Sequence, residues 1–247
     1  MRTFCKLAWT ETKLFCREPA AAFFTLVLPV MMLLIFGAIY GNKPSRYFGG
    51  FGMADVSVPS YTAVIIASTG LLSLPIGLTV YRELGVLRRL KTTPAGSARI
   101  LAAMLTVAFI MTALGMALLI VTGKLVYNLR FGGTWWALCV SFALSAFAFF
   151  AIGLAIAGVQ PTARTAQVSG LIAFFPMIFL SGATIPRETF PGTLQRVSEF
   201  IPLTHAVTLM RGLWLGDGFS DHLKEVTVLV AILIVGSAIS IRTFKWE

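Results

Sequence analysis

Between positions 81 and 94 the chain reads Tyr-Arg-Glu-Leu-Gly-Val-Leu-Arg-Arg-Leu-Lys-Thr-Thr-Pro, and Leu84, Leu87 and Leu90 recur there at helical spacing. Glu83, Arg88 and Arg89 lie among these leucines, and Pro94 ends the helix because the residue before a proline is pushed out of the α region. A short amphipathic helix of this kind can seat in a groove on a soluble protein, its leucines giving grip and its charges orientation. The same basic residues would equally suit a loop that only fixes membrane topology. Covalent or hydrolytic chemistry has no equipment. There is no GxxxxGK[ST] phosphate loop, no HExxH and no GxSxG, and Cys5, Cys16 and Cys139 form no CxxC or Cys/His cluster. No catalytic residue, metal site or bound cofactor is expected.

A second unusual stretch runs from Phe179 to His205. Ser181 and Gly182 interrupt an uncharged segment, and Pro186, Pro191 and Pro202 withhold backbone donors from any continuous helix. Pro191 suits a first helical turn. The region 182–215 is therefore expected to form two short helices that dip back into the membrane from the outside. Irregular backbone at that depth is tolerated only where protein covers it or a cavity runs beside it.

These stretches must be positioned by membrane helices. Of the 247 residues 57% are hydrophobic and 12% charged, with a mean hydropathy of +0.85. A soluble domain carries about 25% charged residues, so the composition excludes an ordinary soluble enzyme and a disordered chain. The net charge of +10 does not indicate nucleic acid, because the basic residues sit in short clusters at the ends of uncharged runs. Six windows free of Asp, Glu, Lys and Arg have spanning character, at 20–40, 59–81, 100–123, 134–159, 165–180 and 226–241. An even number of spans puts both termini on one side. That side holds 12 Lys and Arg against 8 opposite, so the termini and the loop 82–99 are expected to be cytoplasmic. No cleavable signal is expected, since charge persists through Glu18 before the first apolar run.

Residues 1–18 read as a helix lying in the membrane interface, with Arg2, Lys6, Lys13 and Arg17 on one face, Phe4, Leu7, Leu14 and Phe15 on the other, and Glu11 out of place. Pro176 should kink the fifth span. Gly37 with Gly41, and Gly153 with Ala157, have the spacing that lets helices approach closely. Phe174, Phe175 and Phe179 could offer an aromatic surface to an apolar cargo, although lipid-facing or packing phenylalanine is the commoner arrangement.

The N-terminal basic helix ending Arg17-Glu18-Pro19, the Glu83-x-Gly85-x-x-x-Arg89-Leu90-Lys91-x-x-Pro94 loop, and the Leu180-Ser181-Gly182, Pro186, Pro191, Pro202-Leu203, Arg211 stretch together resemble the permease subunits of ABC-2 type ATP-binding-cassette exporters, and among them those of daunorubicin-type drug exporters. The resemblance covers essentially the whole chain. It implies an all-α integral membrane protein comprising one transmembrane domain over 1–247, with six transmembrane helices, an N-terminal elbow helix and two re-entrant outer helices. It implies a permease that pairs with a second copy of itself and with two cytoplasmic ATPase subunits, which bind the ATP and Mg. Export would run outward across a bacterial cytoplasmic membrane, with no enzymatic activity on this chain. By the same resemblance Glu83, Leu84, Gly85, Leu87, Arg88, Arg89, Leu90 and Pro94 would form the coupling helix, with Gln160 and Arg164 in a second, shorter contact. A permease for a lipid-linked glycan or lipid is the alternative within the family, and a passive channel or ion-coupled carrier the alternative outside it. The uncharged spans count against the latter.

Overall fold

The computed structural model describes residues 9–10, 12–13, 22–45, 48–86, 96–185, 187 and 190–243, the side chains of 96–98 excepted. The described residues are all helix and connecting turn. They hold six helices long and apolar enough to cross a membrane, so the chain is a multi-pass membrane protein. We number the helices α1 (Phe23–Tyr40), α2 (Met53–Glu83), α3 (Gly96–Tyr127), α4 (Trp135–Val159), α5 (Ala163–Leu180), α6 (Gly192–Ser198), α7 (Pro202–Leu215) and α8 (Leu223–Thr243). Of the expected interfacial helix only residues 9–10 and 12–13 are described. They are helical, with the Lys13 ammonium 5.4 Å from the Trp9 ring centre.

The axis of the bundle is α2, in which every residue from Ala54 to Leu72 is buried. It begins at Met53, well before the expected start at Pro59, and Pro59 lies inside it. Two features stabilise this early start. The Asp55 carboxylate accepts from the Gly52 amide at 2.8 Å and fixes the first turn. The Ser57, Ser60 and Thr62 hydroxyls donate to carbonyls one turn back at 2.8–2.9 Å, so these three polar side chains are satisfied within the helix itself. A π turn, Thr69–Ser73, widens α2 halfway along, and α1 opens with another, Phe23–Val27. The two turns meet through Thr25 and Thr69, whose buried hydroxyls lie 3.4 Å apart.

Around α2 the glycines set the closest approaches. A Cβ on Gly153 of α4 would run into the carbonyl oxygen of Gly70, and one on Gly170 of α5 into that of Leu71. Gly37 of α1 faces the Tyr127 ring, whose hydroxyl donates to Leu34 O at 2.8 Å, whereas Gly41 has open space and ends α1 with φ +65°. Pro176 sits inside α5. α8 packs on α4, where Gly236 meets the Ala151 backbone, and α7 wedges between α2, α4 and α8. Exposed Tyr40, Trp135 and Trp136 lie at the same end of the bundle, the amphipathic side chains expected where hydrocarbon meets headgroups.

Candidate functional site

The ends of the spans gather into two clusters. At the first, α2 ends at Glu83, Leu84 caps it, and Gly85 turns the chain at φ +66°, a backbone angle that glycine adopts without steric penalty. Glu83 therefore belongs to the membrane helix rather than to a separate coupling helix. Leu84 is 65% exposed on the end of the bundle. Leu87, Arg88, Arg89, Leu90 and Pro94 lie outside the described residues.

Against the end of α2 lies the turn between α4 and α5. The Arg82 guanidinium donates to Ala157 O at 3.1 Å and also to Gln160 O. The Glu83 carboxylate accepts from the Ala163 amide at 3.0 Å. Gln160 caps α4, while Thr162 caps α5 by accepting from the Thr165 amide at 3.2 Å; Arg164 is exposed on the first turn of α5. Glu83, Leu84, Gly85, Gln160 and Arg164 are thus brought together at one end of the bundle. Arg82, which carries the junction, was read in the sequence only as a topological charge. A signal was available, because Pro161 cannot supply the amide that would otherwise bond Ala157 O.

At the opposite end Ser181 caps α5 and is buried, its hydroxyl donating to Ile178 O and accepting from the Ala183 amide, both at 3.3 Å. Gly182 follows at φ +83°, where a Cβ would sit 3.2 Å from the Arg187 Cβ. Pro186 is outside the described residues. Pro191 caps α6, and Pro202 occupies the first turn of α7, whose missing N–H would have had no helical partner. The Glu199 carboxylate, between α6 and α7, accepts from Arg187 at 2.9 Å and from Lys224 at 3.2 Å. These two cations, Arg187 foremost, hold its pKa below the usual carboxylate range. Arg187 also donates to Gln195 O at 3.0 Å, and His205 Nε2 donates to Glu199 O at 2.9 Å. α6, α7 and the start of α8 are pinned together by this network.

Behind it is a buried hub. Asp55 is 0% exposed and its carboxylate also accepts from the Arg130 amide at 2.8 Å and from Asn42 Nδ2 at 3.0 Å. Asn42 in turn donates to Tyr127 O at 3.0 Å, and Trp214 Nε1 donates to Arg130 O at 3.1 Å. One carboxylate thus joins the α1–α2 and α3–α4 connections, with α7 attached. Of the three phenylalanines expected near a substrate path, Phe174 is 0% exposed and packs edge to face on Phe24, while Phe175 and Phe179 are 45% and 56% exposed. Phe175 and Phe179 continue a stripe along α5 with exposed Val168 and Ile172.

Comparison with known proteins gives a consistent result. The family profile described as ABC-2 type transporter matches residues 2–215. The chain is similar to Nodulation protein J of Rhizobium leguminosarum bv. viciae, at 26% identity over 95% of this chain and 88% of that protein. It is similar to the daunorubicin resistance ABC transporter permease protein DrrB1 of Streptomyces coeruleorubidus, at 23% identity over 96% of this chain and 84% of that protein. With the inner membrane transport permease YhhJ of Escherichia coli the identity is 25% over 77% of this chain and 50% of that protein.

Proposed function

The chain belongs to the ABC-2 type transporter family, and on that premise we propose that it is the membrane permease subunit of an ATP-driven exporter that moves an amphiphilic or hydrophobic, drug-like compound outward across a bacterial cytoplasmic membrane. Two copies pair, and two cytoplasmic ATPase subunits bind the ATP and Mg and carry out hydrolysis. The observation that carries this reading is the junction at the first cluster. The end of α2 and the α4–α5 turn, which the sequence assigns to the more basic side, stand side by side with Leu84 and Arg164 exposed on them. Such a surface suits a soluble partner that closes on ATP and pushes on both segments, converting nucleotide binding into rigid-body motion of the spans.

Support for the cargo class comes from the similarity to a daunorubicin resistance permease and from the apolar stripe of α5. Against an ion-coupled carrier stands Asp55. It is the only buried carboxylate among the described residues, and its oxygens are already occupied by three donors. At the outer end, Gly182 and the α6–α7 pair form the gate, held by the Glu199 ion pairs. The test is daunorubicin uptake into inside-out vesicles holding the chain and its ATPase subunit. ATP-dependent uptake is expected. Uptake that follows an ion gradient without ATP would overturn the reading, and ATP-dependent movement of a lipid-linked glycan instead of the drug would move it to the other cargo class.

A further inference from the structure

The last two residues of α2 point to a role that neither the family nor the coupling loop supplies. Pro161 leaves Ala157 O without its helical donor, and the guanidinium of Arg82 takes it together with Gln160 O. Ala163 opens α5, so its N–H has no partner within the helix, and the carboxylate of Glu83 takes it at 3.0 Å. A cation therefore closes the C-terminus of α4 and an anion the N-terminus of α5, each opposite in sign to the pole of the helix dipole it meets. Twelve residues up α2, the carbonyls of Gly70 and Leu71 press on Gly153 of α4 and Gly170 of α5. At a rise of 1.5 Å per residue, the two levels of attachment are about 18 Å apart. Three helices bound to one another at two such levels turn as one body instead of hinging at the turn between them.

We propose that Arg82 and Glu83 form a double helix clamp that makes the end of α2 and the α4–α5 turn a single lever on α5, so that force applied at this junction reaches the outer end of α5; this rests on the permease reading above. Both are positioning residues. The clamp predicts which variants are equivalent. Glu83→Ala removes the acceptor. Ala163→Pro removes the donor at a first-turn position where proline is well accommodated, and Thr162 before it is already extended with ψ 157°. Glu83→Gln retains an oxygen that can accept from Ala163.

The experiment uses the full chain with its ATPase subunit in membranes, Cys5, Cys16 and Cys139 replaced by Ser and a single cysteine introduced as Phe179→Cys on the exposed stripe of α5. The rate of labelling by an impermeant maleimide is compared with and without ATP and vanadate, per ATPase subunit recovered. A several-fold nucleotide response is expected with the clamp intact. It should fall by more than half in Arg82→Ala, Glu83→Ala and Ala163→Pro, and persist in Glu83→Gln. Because Glu83→Ala and Ala163→Pro break one bond, combining them should cost no more than either alone. A full response in Glu83→Ala and Ala163→Pro, additive losses, or a Glu83→Gln loss equal to that of Glu83→Ala would each overturn the clamp. No nucleotide response with the clamp intact would instead overturn the permease reading.

Discussion

Asp55→Ala should be among the most damaging single changes that leave the six apolar spans intact. The carboxylate accepts from the Gly52 and Arg130 amides and from Asn42 Nδ2, at 2.8–3.0 Å and with no exposure to solvent. Asn42 keeps its bond to Tyr127 O when the acid is removed, but the two backbone amides are left without an acceptor. A buried donor left unsatisfied costs about 1–3 kcal/mol; with the Gly52 amide buried and the Arg130 amide partly so, the two together cost up to about 4 kcal/mol. At about 2–4 °C per kcal/mol for a chain of this size, thermal unfolding in nanodiscs should come up to about 8–16 °C earlier. Asp55→Asn keeps the shape and one accepting oxygen but turns an NH2 toward one of the donors, so its loss should be about half as large. Unfolding within a degree or two of the unmodified protein in Asp55→Ala, or equal losses in the two variants, would refute the hub.

Further expectations concern the gate, the ion pairs and the orientation. Gly182→Val forces a β-branched residue to φ +83° beside Arg187, a strain of roughly 1–3 kcal/mol; it should block daunorubicin export while basal ATP hydrolysis by the complex persists, and normal efflux at normal expression would leave Gly182 as a plain helix end. Because Arg187 and Lys224 lower the pKa of Glu199, its ion pairs favour the folded α6–α7 region at neutral pH and are lost only as pH falls through that lowered value. In single-cysteine proteins with the native cysteines replaced by Ser, a spin label attached at Thr193→Cys at neutral pH should therefore gain mobility only when the pH is then taken into strong acid, and Glu199→Gln should give the mobile label already at neutral pH. An impermeant reagent applied to intact cells should modify that cysteine at Thr193 but not one at Thr92, and the reverse would invert the topology.

The six spans were legible because each is a long uncharged run, and the ends of α4 and α5 fell within two residues of their expected limits. The start of α2 was not legible. Pro59 reads as a boundary and Asp55 as a charge that a span should exclude, whereas the acid caps the helix with partners as distant in sequence as Arg130. Nothing local announces the π turns, which depend on what α4 and α5 press against α2. The end of α5 at Leu180 falls where Ser181 and Gly182 interrupt the apolar run, but polar His205 and Arg211 concealed how deeply α7 is buried among its neighbours. Three phenylalanines within six residues likewise carry no mark of which one packs inside, since a shift of about 100° per residue along α5 decides it. Glu83 was legible as important, but its bond to α5 was not, because that acceptor role depends on where the fold brings Ala163.

The central claim is that the α2–α5 end of the bundle is the surface that receives an ATPase. A photo-crosslinking amino acid at Leu84, 65% exposed beside the junction, tests it directly when placed in the full chain in its native membrane. The account predicts a nucleotide-sensitive crosslink to a protein that carries a GxxxxGK[ST] motif, absent when the probe is moved to Phe200, which is 89% exposed at the opposite end. Crosslinks to that ATPase from Phe200 and not from Leu84, or to lipid alone from Leu84, would contradict it.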